Sequence, residues 1–345
     1  MYIKKIILVG LFMGSQLLDG KSLSFQHHDW QVVCDNTYTC RIAGYSSDEE
    51  EENRISVLLT RKAGARTKTT AKIQLAMYDE SDEKLFKKFP SVFKLEMLIN
   101  GKSYGLVSMK NSDSIASLSE KQTDALLASL RQSSDIVWKY KKYQWRLSDE
   151  GSTAVLLKAD EFQKRLHTRT AFYKKGIQSE KNVLQPKAVP VIYAQTVEDD
   201  KALTIKDKAY IEKLTDGLRG EDCFDADYDA DFTFYALSPS QLVATKLAWR
   251  AAYNSSYCSW VINKKEPFNP QDAIEGDYYV NEKKMGIVSN NQKWRGLGDC
   301  WSYEEYVWTG KTFEQSSVGS TGLCRLIAGG GAWNLPTFVS KVTVK

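Results

Sequence analysis

Six cysteines spread along the chain constrain its fold more than any other feature: Cys34, Cys40, Cys223, Cys258, Cys300 and Cys324. The count is even, and no two have the C-x-x-C spacing of a zinc site, which usually adds histidines. The pattern therefore reads as disulfides kept in an oxidising compartment. Six cysteines allow about 15 connectivities. Order along the chain pairs Cys34 with Cys40, Cys223 with Cys258, and Cys300 with Cys324. Asp35 and Asn36 supply turn chemistry inside the first pair.

The N-terminus agrees with export. Lys4 and Lys5 form a basic start, and Ile6 to Leu18 form an apolar run broken only by Gly10, Gly14, Ser15 and Gln16. Gly20 and Ser22 occupy the −3 and −1 places of a small-residue cleavage site, which predicts a signal peptide over residues 1–22. The run is shorter than the roughly 20 apolar residues a spanning helix needs, and no later stretch reaches that length. No cysteine lies near the cleavage point, which argues against a lipid anchor. The net charge of +4 is small and its lysines and acids are interspersed, so a nucleic-acid partner is not expected.

A chain of 345 residues suggests two domains. Strand-like runs occur at Trp30 to Val33, Ile55 to Leu59, Ala71 to Ala76 and Phe93 to Leu98, and Asn100-Gly101 marks a tight hairpin. Ser119 with Gln122 forms a capping box for a helix to about Leu130, and a second helix is predicted from Ser152 to Leu166. Gly176, Ser179, Pro186 and Pro190 mark 177–190 as a linker. Beyond it come a strand near Val191 to Ala194, a helix from Lys206 to Leu218, and a turn-rich aromatic region. The expectation is a β-rich α+β protein. An N-terminal β-sandwich-like domain with appended helices (23–176) precedes a smaller, aromatic-rich, disulfide-containing β domain (191–345).

Several segments in order resemble an exported bacterial family, domain of unknown function 1176. They are Phe25 to Asn36 with its Trp30 and Cys34, Arg61 to Gly64, Trp145 to Ser148, and Ala154 to Arg165 with Asp160, Gln163 and Arg165. The later segments are Ala252-Tyr253-Asn254, Gly296 to Cys300, Trp308 to Gly310 with Phe313, Cys324-Arg325, and Trp333 to Pro336. The opening Trp-x-x-x-Cys is also similar to the invasion-associated locus B family. Two positions depart from the first pattern: Leu247 to Trp249 lack a cysteine, and Trp301 replaces a glycine. The first departure puts the Cys223–Cys258 pairing in doubt. The resemblance implies a periplasmic or surface location in a Gram-negative bacterium and carries no settled activity.

Few residues offer chemistry. His27 and His28 beside Asp29 cannot form a metal site alone, because neighbours on a strand point to opposite faces. His167, at the end of a predicted helix, suits a structural role. Gly319 to Gly322 only echoes a nucleophile elbow, and Gly329-Gly330-Gly331 reads as a turn rather than a phosphate loop. Asp225, Asp227, Asp229 and Asp231 alternate as oxygen ligands might for a weak cation site. Counted from Asp225, the sixth and twelfth places are Ala230 and Ala236, so an EF-hand loop is excluded. Most C-terminal aromatics are expected in a core. Trp301 and Tyr303, beside Glu304 and Glu305, are the candidate binding rings, with Asp299 and Trp294, and Asn290 and Asn291 suit a glycan groove. No catalytic set and no cofactor is indicated. The chain reads as a non-catalytic binding protein, envelope-protective or inhibitor-like, whose partner is an envelope protein or glycan. The alternatives are a cell-wall glycan-binding protein or glycan-acting enzyme, and a structural envelope component.

Overall fold

The computed structural model describes residues 21–198, 201–205, 209–210, 213 and 231–345. Residues 1–20 of the expected leader, most of the expected helix at 206–218, Cys223, and Asp225, Asp227 and Asp229 lie outside the described residues.

The first sheet is an antiparallel run of β1 (Leu23–His27), β2 (Trp30–Cys34), β3 (Cys40–Tyr45), β4 (Ile55–Arg61), β5 (Thr69–Leu75) and, at its edge, β8 (Ile115–Ser117). Cys34 and Cys40 face each other across β2 and β3 and are joined as a disulfide. A second sheet, in the order β10 (Tyr143–Leu147), β9 (Ile136–Tyr140), β6 (Val92–Ile99), β7 (Lys102–Lys110), stacks on the first. Period-two alternation along β6 sends Phe93, Leu95, Met97 and Ile99 inward to meet Trp30, Val32, Ile42 and Ile73. Asn100 and Gly101 turn the β6–β7 hairpin with φ of 50° and 76°, the left-handed pair this turn requires.

Three α-helices are described. The α1 helix (Glu80–Phe86) was not apparent from its short apolar pattern; Asp79 caps it by accepting from Ser81 N and Asp82 N. The α2 helix (Glu120–Ser129) carries both halves of the Ser119–Gln122 capping box. The α3 helix (Ser152–Phe162) ends four residues before the predicted Leu166. Lys164 turns the chain with φ of 56°, and Gln163 and Arg165 join Asp160 in a buried polar network instead of continuing the helix. His167 thus sits in a loop, exposed, with φ of 63°. The stretch 177–190 packs on the sandwich: Val183 is buried, and Gly64 N donates to Leu184 O at 2.8 Å.

The C-terminal half holds two more antiparallel sheets. One contains β12 (Thr233–Ala236), β13 (Gln241–Arg250), β14 (Ser255–Asn263) and β15 (Ile274–Glu275). The other contains β16 (Asp277–Val280), β17 (Gly286–Lys293), β18 (Trp301–Trp308), β19 (Phe313–Ser320) and β20 (Leu335–Val339). Val243 and Val261 of the former pack on Tyr278, Val288, Trp308 and Phe313 of the latter, so many of the aromatics form core as expected. The opposite face of the five-stranded sheet is covered only in part. There β11 (Val191–Ala194), paired in parallel with β21 (Lys341–Val344), lays Ile192 and Ala194 over Ile287 and Val307.

A segment from Thr321 to Val339 straps the two halves together over the outer face of the first sheet. Trp333 enters a cluster with Val33, Ala43 and Tyr45, and its Nε1 donates to Ser56 Oγ at 2.7 Å. Leu323 N donates to Tyr45 Oη at 3.1 Å, and Arg325 pairs with Asp29 at 2.8 Å and with Asp48 at 2.6 Å. Asn36 closes the far end, accepting from Val339 N and donating to Val339 O. The Cys300–Cys324 disulfide ties the strap to the start of β18. Cys258 is also disulfide-bonded, and its expected partner Cys223 lies outside the described residues.

Candidate functional site

The uncovered end of the five-stranded sheet forms the floor of a cleft of about 960 Å³, with Lys72 and Ile115 of the first sheet on its far wall. Side-chain alternation places Trp301, Tyr303 and Glu305 of β18 on this floor. Cross-strand pairing sets Asn291 beside Tyr303 and Ser317 beside Glu305. Asn334 and the Gly330-Gly331 turn close one side.

Each floor group is held by specific contacts. Trp301 Nε1 donates to Gly298 O at 2.9 Å, and its backbone N donates to Thr321 Oγ1 at 2.9 Å. Lys293 Nζ lies 5.1 Å from the centre of the Trp301 ring, a cation–π distance. Tyr303 Oη donates to Asn334 Oδ1, which lays the ring flat across β19. Only glycine permits this at position 319, since a Cβ there would come within 2.7 Å of Tyr303 Cζ and of Pro336 Cα. Burial pushes the Tyr303 phenol up to about 12; the Glu305 carboxylate adds to the rise and Arg41 opposes it. It is therefore a neutral donor at physiological pH. Glu305 accepts from Ser317 Oγ at 3.1 Å. Burial and the same carboxylate also raise the pKa of Tyr279. Glu305 is the one carboxylate and Lys72 the one amine among the residues lining the cleft.

Of the four binding candidates, the cleft gathers Trp301 and Tyr303 and leaves out Asp299 and Trp294. Asp299 is buried and fully engaged: Arg295 grips it in a fork at 2.8 and 2.6 Å, and Leu326 N donates to it at 2.8 Å. Those contacts hold its carboxyl below the usual range against the opposing effect of burial, so it anchors a turn. Trp294 is 48% exposed on that turn and lies outside the cleft. Cys300 and Cys324 lie beside Asp299, but as a disulfide they offer no thiolate to a metal. Asp231 is exposed, and the other three aspartates of that run lie outside the described residues. Ser317, Asn334 and Lys72 were not singled out by sequence reasoning. Only strand register and the strap bring them to the cleft.

A second polar assembly lies under α3. Arg61, buried on β4, donates to Asp160 Oδ1 at 2.8 Å, Gln163 Oε1 at 2.8 Å and Thr170 O at 3.1 Å. Asp160 also accepts from Phe172 N at 2.7 Å and Tyr173 N at 3.0 Å. Arg165 donates to Gln163 Oε1, Thr170 Oγ1, Thr67 Oγ1 and Gly64 O. Burial brings Arg61 down to about 9, with Asp160 opposing, so its guanidinium is charged at neutral pH.

No helix among the described residues is long and apolar enough to cross a membrane. Comparison with curated proteins found no match, and comparison with solved structures found none. A family model described as protein of unknown function (DUF1176) matches residues 24–340. That span takes in both sheets of the sandwich, the strap and every residue of the cleft, and the chain belongs to the DUF1176 family.

Proposed function

We propose that the protein is a non-catalytic binding protein exported to the periplasm, and that the cleft over β18 receives its ligand. The leader pattern and the disulfides support the location. One observation carries the binding role: two anchored rings, Trp301 and Tyr303, share an open floor with amide and hydroxyl groups and a single carboxylate. Aromatic faces beside a few convergent polar groups are the usual composition of a recognition site. The ligand that suits this floor is polar and largely uncharged, an envelope glycan or an extended segment of an envelope protein.

A glycan-hydrolysing site would want a second carboxylate about 5–10 Å across the cleft from the first. Glu304, the neighbouring acid, points to the other face of β18, where Tyr306 Oη donates to it at 2.6 Å. The geometry therefore favours holding over cleaving. The flat ring of Tyr303 beside Asn291 and Asn334 favours a glycan within the binding reading. The test incubates the pure oxidised mature protein with solubilised cell-wall glycan fragments and, separately, with envelope protein extract. Retention of one class without chemical change, weakened about tenfold or more by Trp301→Ala with Tyr303→Ala, is the expected result. Turnover of any of these substrates by the pure protein would overturn the proposal.

A further inference from the structure

A second cavity, of about 410 Å³, opens between β4, α2 and the loop after α3, and shares no residue with the cleft. Its walls carry five cationic side chains, Arg61, Lys68, Arg131, Arg169 and Lys175, against two acids, Glu120 and Asp124. Lys68 is taken up by Glu120 at 2.7 Å. Among the described residues, no ion pair joins Arg131, Arg169 or Lys175 to a carboxylate. Beneath them Arg61 pairs with Asp160, while Arg165 bonds only to Gln163, Thr170, Thr67 and Gly64 among the described residues, and the Glu180 charge acts on both guanidinium groups. Arg61 is 1% exposed and commits three of its five N–H groups to Gln163, Thr170 and Asp160, leaving donors unspent beside the cavity.

We propose that this cavity is a binding site for a phosphate group, with Arg61 at its base and Arg131, Arg169 and Lys175 at its rim. A phosphate carries about 1.5 to 2 negative charges at neutral pH and several strong acceptor oxygens. Guanidinium forks match such oxygens in pairs. A single carboxylate would leave most of the wall charge unanswered. The volume holds a small phosphate-bearing molecule or a head group. The site is independent of the cleft and of the function proposed for it.

The test titrates the full oxidised mature protein with inorganic phosphate at low ionic strength by calorimetry, with acetate as a monoanionic comparison. Phosphate binds saturably at one site, and acetate binds about tenfold more weakly or not at all, the deficit expected of one lost charge-assisted hydrogen bond. Arg131→Ala with Arg169→Ala weakens phosphate by about tenfold or more on the same scale, and Lys175→Ala weakens it by less. These side chains are exposed, so melting without phosphate stays as in the parent and reports that the variants fold. Trp301→Ala leaves phosphate affinity unchanged. Recruitment to phosphatidylglycerol vesicles, lost in the double variant, would assign the phosphate to a lipid head group; phosphate binding without recruitment assigns it to a free molecule. Absence of phosphate binding, or equal affinity in the parent and the double variant, overturns the proposal.

Discussion

Asp160 accepts hydrogen bonds from one arginine and two backbone amides while fully buried, and so joins β4, α3 and the loop at 172–173 through a single carboxylate. Removing it would leave the Arg61 charge buried and unpaired, with Phe172 closed over its face at 3.4 Å. Breaking one partner of a buried pair costs about 3–5 kcal/mol. Asp160→Ala should lower unfolding free energy in urea by that amount, and a loss below about 1 kcal/mol would mean water had replaced the pair. In the sequence Arg61 follows a predicted strand, and Asp160, Gln163 and Arg165 fall in a stretch whose spacing reads as helix. The pairing is tertiary, between β4 and the end of α3 about a hundred positions apart, and no local period encodes it. Asp299 shows the same limit: its carboxylate looked available for a ligand, and only the fold reveals that Arg295 occupies it.

Local chemistry was legible for elements that complete themselves nearby. The Asn100-Gly101 hairpin and the Ser119–Gln122 capping box close over a few residues, and both were apparent from the sequence. The strap was not, because its partners are Tyr45, Ser56 and Asn36, nearly three hundred positions away. Its seat on Tyr45 makes a pH prediction. Burial pushes the Tyr45 phenol up to about 12, against hydrogen bonds from Leu323 and Gln31 that lower it. The folded state thus holds this proton more tightly than the unfolded chain, whose phenol titrates near 10. The stabilisation is complete below pH 10 and is lost as pH rises from 10 to about 12, by about 2–3 kcal/mol. Tyr45→Phe should be less stable at pH 8 and should show a flatter decline across that window in alkaline urea titrations. An equal slope in both proteins would place the titration elsewhere.

The cleft belongs to the whole molecule. β18 supplies the rings, β19 the glycine that lets Tyr303 lie flat, the strap supplies Asn334, and the N-terminal sheet supplies Lys72 and Ile115. The β-rich class and the Cys34–Cys40 and Cys300–Cys324 pairs were accessible from composition and order. The way the two halves meet was not, since strand register decides which side chains share a face. On the proposed function, ligand binds over β18 between these halves. Hydrogen exchange of the mature protein, alone and saturated with the envelope fraction it retains, reads out that placement. Slower exchange at 301–305, 316–321 and 330–340, with the 92–110 hairpin unchanged, is the predicted result. Protection confined to the Trp294 turn or to the N-terminal sandwich, with β18 unaffected at saturation, would contradict it.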